Sequence, residues 1–289
     1  MAIRKRPLAA ALGVEVSGVD LARALGGQLD AIHRAWEESG LLLFRGQRLT
    51  NDELLAFSRR FGELDPPPVQ ENGRMSPAGY PDIYVVSNVR DEKGEPIGAL
   101  GAGEAVWHTD MSYLETPPDA SILYALEVPQ HGGNTWFCGM QAACAALPAD
   151  LRAAIAGRRI KHDGTYNSGG YLRQGVTPDD DPRRAPGAWH PAICRHPATG
   201  AAVLFLGRRR NSFIEGLDRA ASEALLDRLW AHATAPDFTY EHRWQVGDLV
   251  MWDNRATMHR RDPFDPAARR VMHRTQIRGT QQPVAFPAA

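Results

Sequence analysis

The sequence predicts a mainly β protein in which a β-sandwich or jelly-roll core carries helices on its outside. This prediction rests on many short strand-like segments bounded by turn residues, and on a small number of helical patterns between them. The sequence has no regular alternation of strands and helices, which argues against a doubly wound parallel sheet. Hydrophobic residues make up 43% and charged residues 23% of the chain, the composition of an ordinary globular protein.

The first 62 residues contain strand and helix signals in turn. Alternating polarity predicts a strand over 14–19, and apolar residues spaced three and four apart predict a helix that ends at Gly40. The apolar run from Leu41 to Phe44 predicts a short buried strand. The segment from Thr50 to Glu53 has the pattern of a capping box, which predicts a second helix ending at Gly62.

The rest of the chain is dominated by strand signals and by two long loop regions. Residues near 63–103 and 163–192 are rich in Gly and Pro, and we interpret them as lids or substrate loops of one domain that spans 1–289. Helical patterns cover 140–157, with a break at Pro148, and 218–233. The segments with strand character are 83–86, within the first loop region, and 104–138, 202–206, 237–244, 249–253 and 270–277.

Charge and cysteine content restrict the partners and the compartment. With 33 Lys and Arg against 34 Asp and Glu, the formal net charge is −1, which argues against a dedicated nucleic-acid binder. The longest apolar run is far below the ~18–20 residues of a membrane span, and the basic N-terminus is not followed by a signal-peptide core. The three widely spaced cysteines predict a cytoplasmic protein with reduced thiols, or simply small buried side chains: Cys138, Cys144 and Cys194.

A candidate metal site is indicated by the segment Trp107-His108-Thr109-Asp110. On a strand, residues i and i+2 point to the same face, so His108 and Asp110 can aim an imidazole nitrogen and a carboxylate oxygen at one point. A third ligand is expected from His259, after the predicted strand over 249–253. Two His and one carboxylate are the ligand set of non-haem Fe(II) oxygenases. The pair His108 and Asp110 alone is also compatible with a histidine hydrogen-bonded near a turn.

Two arginines follow the candidate metal ligands. Arg270 lies eleven residues after His259, and Arg274 lies four further on. On the predicted strand, Arg270, Met272 and Arg274 share one face, so both guanidinium groups are expected to point into the barrel. A buried arginine needs an anionic partner, and its planar fork suits a carboxylate or a sulfonate. Salt bridges to Asp or Glu of the same chain are the alternative for each arginine.

Four segments together resemble the taurine / dichlorophenoxyacetate dioxygenase family of Fe(II)- and 2-oxoglutarate-dependent oxygenases. They occur in the family's order, between about residue 8 and about residue 279. The spacing from His259 to the two arginines also matches the family pattern. The segments are Trp107 to Asp110, Gly132 to Thr135, Gly247 to Arg255 and His259 to Arg274.

The resemblance implies a fold, a cofactor and residue roles. The implied fold is the double-stranded β-helix, a cupin-like jelly roll with outer helices. The implied iron ligands are His108, Asp110 and His259, and Thr135 and Arg270 match the residues that hold the distal carboxylate of 2-oxoglutarate. The implied reaction consumes O₂ and 2-oxoglutarate, releases succinate and CO₂, and hydroxylates a substrate, whose bond may then break. The family also implies a dimer or a tetramer.

The resemblance places the acid group of the primary substrate on Arg274. A small organic acid is therefore expected, either a carboxylate or a sulfonate. The loop from Pro66 to Glu71 differs from the taurine branch, as does the residue four before His108, which argues against taurine itself. The remaining candidates for substrate contacts are Glu104, Met111, Tyr113, Ser168 and Arg210.

Two other functions remain compatible with the metal motif. One is a jelly-roll metalloenzyme that does not use 2-oxoglutarate, such as an isomerase or a hydrolase. The pairing of Arg270 with Thr135 argues against it, because such an enzyme has no use for a second carboxylate site. The other is a non-catalytic binding protein, which the intact ligand set disfavours.

Overall fold

The computed structural model describes residues 3–67, 76–103 and 105–287, and this part of the chain is mainly β. Its strands are short, as the sequence predicts, and most are four or five residues long. In chain order they are β1 (Arg4–Pro7), β2 (Val14–Ser17), β3 (Leu41–Phe44), β4 (Leu64–Asp65), β5 (Tyr84–Ser87), β6 (Ala99–Leu100), β7 (Ala105–His108), β8 (Ala120–Glu127), β9 (Thr135–Gly139), β10 (Arg159–Asp163), β11 (Gly187–Pro191), β12 (Ile193–Arg195), β13 (Ala202–Leu204), β14 (Phe213–Ile214), β15 (Thr239–His242), β16 (Leu249–Asp253), β17 (Thr257–Arg261) and β18 (Val271–Ile277).

The helices of the described residues agree with the sequence patterns except at their ends. The second helix stops at Ser58, four residues before the predicted end at Gly62, and Pro148 separates the third helix from the fourth. A single 3-10 turn covers Pro236–Phe238. The α-helices are α1 (Gln28–Ser39), α2 (Asn51–Ser58), α3 (Met140–Ala145), α4 (Ala149–Ile155) and α5 (Arg219–Ala233).

Two sheets form the body of the fold, and their strands pair antiparallel except for β2 with β3 and β5 with β6, which are parallel. The larger sheet has the strand order β1-β2-β3-β16-β8-β18-β5-β6, with β4 also paired to β18, and the smaller has the order β15-β9-β17-β7. Strands distant in sequence therefore lie side by side, as expected for a jelly roll. The predicted fold class, mainly β with a jelly-roll core and outer helices, is confirmed.

Alternating side chains of the larger sheet fill the space between the two sheets. Val250 and Trp252 of β16 point inward with Leu43 and Met272, and they pack against Phe137 of the smaller sheet. The intervening residues of these strands point outward and are covered by α1 and α2. Every residue of β3 is therefore buried, because the strand has apolar neighbours on both faces.

A second apolar cluster lies outside the smaller sheet. Helices α3, α4 and α5 pack there against β10, β13 and β14. Cys138 and Cys144 belong to this cluster, and they and Cys194 are buried free thiols. Among the helices of the described ranges, none has both the length and the apolar character of a membrane span.

The two predicted loop regions contain expected and unexpected strands. Within 63–103, β5 matches the β-like run over 83–86, whereas β4 and β6 were not predicted, and residues 68–75 fall outside the described part. The region 163–192 is irregular only as far as residue 186, and β11 begins at Gly187 and pairs with β10. The sequence does not signal β11 because Gly187 and Pro191 begin and end it.

The capping box at the start of α2 allows a direct test of how much the cap stabilises this helix. Thr50 accepts a hydrogen bond from the backbone N–H of Glu53 (3.3 Å), and the Glu53 carboxylate accepts one from the backbone N–H of Thr50 (2.7 Å). We expect Thr50→Ala to lower the free energy of unfolding by about 1 kcal/mol, measured by urea denaturation. Thr50→Ser keeps the hydroxyl and should stay close to the parent protein. Equal losses in both variants would contradict this role of the cap.

Candidate active site

The three candidate metal ligands come from two neighbouring strands of the smaller sheet. His108 is the last residue of β7, and His259 lies in β17 directly opposite it as its Cα partner. The alternation of residues predicted that Asp110 lies on the same strand as His108. In the structure, Asp110 lies in the turn that follows the strand. The strand ends at His108, so the direction of the Asp110 carboxylate is set by the turn and not by the alternation of side chains along the strand.

The donor atoms of this triad face one point. The Nε2 atoms of His108 and His259 lie 3.5 and 3.8 Å from Oδ1 of Asp110. All three side chains are buried, and their ligand atoms lie within 4.8 Å of one another. Two imidazoles and one carboxylate at this spacing fit a divalent transition metal such as Fe(II). Within the described residues, this is the group of His, Cys, Asp or Glu side chains that could hold a metal ion.

Hydrogen bonds fix the orientation of two of these ligands. Nδ1–H of His108 donates to the carbonyl oxygen of Val106 (2.7 Å), which leaves Nε2 with its lone pair toward the metal position. The Ser121 hydroxyl donates to Oδ2 of Asp110 (2.8 Å), the oxygen that faces away from the histidines. In the described structure, Nδ1 of His259 has no such partner. Its ring is instead held by the ring of Trp252, with centroids 4.7 Å apart.

The electrostatic surroundings keep the ligands in the states that a metal requires. Burial opposes ionisation of Asp110, but Arg274, His259 and His108 hold the pKa of its carboxyl well below the usual range. Burial, helped by His108, lowers the pKa of His259 well below its usual value. An ionised carboxylate and a neutral imidazole are the forms that bind metal ions.

A cavity opens beside the triad. Its lining combines apolar side chains with three arginines. Its lining consists of Val86, Leu100, Ala105, His108, Leu123, Thr135, Ser168, Trp252, His259, Arg261, Arg270 and Arg274. The triad, Thr135 and both arginines singled out in the sequence are therefore brought together around one space.

Arg270 is the least exposed cation of this lining. Its residue is 1% exposed, and in the described part of the chain Nε and Nη1 of its guanidinium have no hydrogen-bond partner. Burial, with the nearby charge of Arg261, lowers the pKa of Arg270 to about 9. A buried guanidinium without an anion is costly, so this geometry fits a carboxylate ligand that enters the cavity. The alternative of an internal salt bridge is not realised at Arg270 within the described residues.

Arg274 projects from β18 toward the triad itself. Its Nη2 lies 3.0 Å from Oδ2 of Asp110, and its Nε has no partner among the described residues. Arg274 thus forms the internal ion pair that the sequence left open, yet keeps one donor free at the cavity. Arg270 precedes β18, and the pairing of β18 with β8 shifts register between Val271 and Met272. The two arginines reach the same cavity despite this irregularity.

The predicted substrate contacts are distributed unevenly. Ser168 lines the cavity, whereas Met111 and Tyr113 are half-buried in the turn after Asp110 and are not part of its lining. Arg210 is exposed and stacks on the ring of Tyr166, 3.4 Å from its centroid, so it does not line the cavity. Glu104 lies outside the described residues.

Sequence reasoning missed two further buried cations near the triad. Arg261 lines the cavity, and its Nη2 donates to the carbonyl oxygens of Leu100 (2.9 Å) and Gly103. Alternation from His259 along a strand could have found it, but β17 was not predicted. Arg208 is a buried residue and the Cα partner of His108, and it resembles its exposed neighbour Arg210 in sequence alone.

Comparison with known proteins agrees with this geometry. The model of the taurine catabolism dioxygenase TauD, TfdA family matches residues 4–276. The chain belongs to this family. It is 37% identical over 286 residues to the alpha-ketoglutarate-dependent 2,4-dichlorophenoxyacetate dioxygenase of Cupriavidus pinatubonensis, covering 95% of this chain and 97% of that protein.

Two other relatives cover nearly the whole chain. It is 32% identical to the (S)-phenoxypropionate/alpha-ketoglutarate-dioxygenase of Delftia acidovorans, covering 94% of each protein. The crystal structure of AAD-2 in complex with Mn(II) and N-oxalylglycine superposes with a TM-score of 0.79 at 30% identity, covering 98% of this chain and 100% of that one.

Family membership establishes the class of enzyme. This member of the TauD/TfdA family is an oxidoreductase, a dioxygenase that uses Fe(II), 2-oxoglutarate and O₂. The two alternatives raised by the sequence, a metalloenzyme without 2-oxoglutarate and a non-catalytic binding protein, are therefore set aside. Its substrate is a small molecule.

The triad predicts a sharp effect on metal affinity. Loss of a residue that supports a metal ligand weakens metal binding by roughly 10- to 100-fold. We expect His108→Ala to weaken Mn(II) binding by more than this, because a ligand itself is removed. Isothermal titration calorimetry under nitrogen measures the affinity. His131→Ala is the control, since His131 is exposed and away from the cavity. Undiminished affinity in His108→Ala would mean that the metal binds elsewhere.

Proposed function

We propose that this enzyme hydroxylates a small organic acid, and that His108, Asp110 and His259 hold its Fe(II). The observation that carries the proposal is the buried guanidinium of Arg270, which lines one cavity with His108 and His259 and whose Nε and Nη1 have no hydrogen-bond partner among the described residues. A distal carboxylate of 2-oxoglutarate satisfies this group while the other end of the cosubstrate reaches the metal position. Thr135 lines the same wall.

Thr135 is prepared for the same carboxylate by its own hydrogen bond. Its Oγ1 accepts a hydrogen bond from Nε1–H of Trp244 (2.9 Å), so its hydroxyl proton is available to another acceptor. We assign Thr135 and Arg270 to the distal carboxylate of 2-oxoglutarate. Together they offer a neutral donor and a charged fork, which orients the cosubstrate as well as binding it.

Bound Fe(II), with 2-oxoglutarate and O₂, supplies the oxidising power for hydroxylation of a C–H bond, with release of succinate and CO₂. The side chains around the triad orient the reactants and exclude water. Leu123 and Trp252 form the apolar wall of the cavity, and Phe137 packs behind Trp252. A dry wall strengthens the charge interactions of the cationic side and limits side reactions.

The acid group of the primary substrate is assigned to Arg274. Arg274 lines the cavity, its Nε has no hydrogen-bond partner among the described residues, and its Nη2 pairs with Asp110, so an acid bound to Arg274 would lie beside the metal position. Carboxylates and sulfonates both fit a guanidinium, and hydroxylation at a carbon bearing oxygen or sulfur leads to bond cleavage. The relatives act on phenoxy acids according to their names, which supports a carboxylate. Ser168, Met111, Tyr113, Arg210 and Glu104 remain predicted substrate contacts.

The proposal also covers the domain organisation, the oligomeric state, the compartment and the loops over the site. The chain works as one domain over 1–289, as a homo-oligomer, either a dimer or a tetramer, in the cytoplasm. The three free cysteines support a reducing compartment. The regions near 63–103 and 163–192 act as lids over the substrate. In the second of these, Arg173 stacks 4.1 Å from the centroid of Tyr113, which joins the loop to the turn after Asp110.

Separate losses in two arginine variants test the proposal. Under anaerobic conditions, Fe(II) and 2-oxoglutarate should give a weak visible charge-transfer band. We expect Arg270→Ala to weaken 2-oxoglutarate binding by roughly 100-fold or more, because a buried charge pair is lost. Arg274→Ala should keep the band. Persistence of the band in Arg270→Ala at the same 2-oxoglutarate concentration would contradict the assignment.

A panel of acids then tests Arg274. We expect succinate release with at least one of 2,4-dichlorophenoxyacetate, 2-phenoxypropionate, taurine and hexyl sulfate, and its loss in Arg274→Ala. Release of succinate by Arg274→Ala at the parent rate would remove Arg274 from the substrate site.

The loop over 164–186 can be tested as a lid by limited proteolysis. If it is a lid, we expect 2-oxoglutarate and the best acid to protect it from cleavage. Unchanged cleavage would contradict that role.

A further inference from the structure

Two of the assigned groups lie where the β-ladders stop. Asp110 follows the end of β7, and Arg270 precedes the start of β18, so neither backbone is held by regular strand pairing. In both places an asparagine side chain takes over the missing hydrogen bonds. We propose that Asn254 and Asn88 are positioning residues, Asn254 for the metal ligand Asp110 and Asn88 for the cosubstrate ligand Arg270. This inference rests on the proposed roles of Asp110 and Arg270.

Asn254 holds the backbone of Asp110 on both sides. Its Oδ1 accepts from the backbone N–H of Asp110 (2.9 Å), and its Nδ2 donates to the carbonyl oxygens of Asp110 (2.8 Å) and Pro118 (3.0 Å). The residue is 1% exposed. One amide thus pairs with both polar groups of the metal ligand, as a neighbouring strand would.

The base of this amide is itself fixed. The backbone N–H of Asn254 donates to the carbonyl oxygen of Asp119 (3.0 Å). The preceding residue, Asp253, accepts from Nε2–H of His196 (3.0 Å) and from the guanidinium of Arg255 (2.6 and 2.8 Å). Both Asp253 and His196 are buried. Asn254 therefore ties the turn that carries Asp110 to a part of the chain that is fixed in the core.

Asn88 has the same relation to Arg270. Its Oδ1 accepts from the backbone N–H of Arg270 (3.0 Å), and its Nδ2 donates to the carbonyl oxygens of Pro266 (3.0 Å) and Ala268 (2.7 Å). Asn88 lies just after β5, the strand paired with β18. The amide thereby fixes where the chain leaves the 266–268 loop and where the guanidinium of Arg270 enters the cavity.

The chemistry requires asparagine at both positions. A carboxamide offers an acceptor and a donor on one short side chain, whereas a carboxylate only accepts and a hydroxyl is too short to reach both neighbours. Neither asparagine lines the cavity. Their effect on catalysis therefore passes through Asp110 and Arg270, and each should affect one ligand and not the other.

The test compares Asn254→Ser with Asn88→Ser, each serving as the control for the other. Binding of Mn(II), and of 2-oxoglutarate at saturating Mn(II), is measured by isothermal titration calorimetry, with thermal unfolding recorded for each variant. We expect Asn254→Ser to weaken Mn(II) binding by about 10- to 100-fold and to change 2-oxoglutarate binding little. We expect Asn88→Ser to weaken 2-oxoglutarate binding by about 10-fold and to leave Mn(II) binding close to the parent value.

A parallel loss of both affinities in each variant, following a drop in melting temperature, would show only a structural role and overturn the proposal. Unchanged affinities would overturn it as well. If Asn254→Ser does not fold, Asn254→Asp keeps the volume and the acceptor but sets a carboxylate against two carbonyl oxygens. Weaker Mn(II) binding in Asn254→Asp, despite the added negative charge, supports positioning, and tighter binding contradicts it. Failure of the parent protein to bind 2-oxoglutarate would instead overturn the proposed function.

Discussion

Buried positive charge is the constraint on which this site depends. Arg261, Arg270 and Arg274 line one cavity, and among the described residues Asp110 forms an ion pair with one of them, Arg274. Each guanidinium donor left unsatisfied costs about 1–3 kcal/mol, which the rest of the fold must offset. Under the proposed function, anions that enter the cavity offset this cost: a dicarboxylate cosubstrate and an acid substrate.

The jelly roll supplies the rigidity that such a cavity needs. Its two sheets close over an apolar layer that includes Phe137 and Trp252, and the helices seal the outer faces. Because side chains alternate along a strand, one strand can give a residue to the core and the next residue to the outer layer. In β18, Met272 enters the apolar layer and Arg274 reaches the cavity from the same face, whereas His273 faces α2 and contacts Asn51.

The sequence predicted the fold class, most helices and the residues of the triad, because these depend on local patterns and on motifs with fixed spacing. It did not predict that Asp110 leaves the strand, since a single intervening residue looks the same in a strand and in a turn. Arg261 was missed for a related reason: β17 is a mixed polar segment whose strand character comes from pairing with β9 and β7. The hydrogen bonds of the Asn88 and Asn254 amides join residues more than a hundred positions apart, so local sequence patterns cannot predict them.

The ends of the strands explain why the site is both irregular and accurate. A ligand within a ladder is held by regular pairing, but its direction is limited to the two faces of the sheet. Asp110 and Arg270 escape that limit by lying beyond the ladder, where their backbones lose regular partners. Side-chain amides then restore the lost hydrogen bonds where no strand lies alongside. The charged groups can therefore point in directions that the two faces of a sheet do not allow. Their positions are defined only as well as the asparagine amides are themselves held by the core.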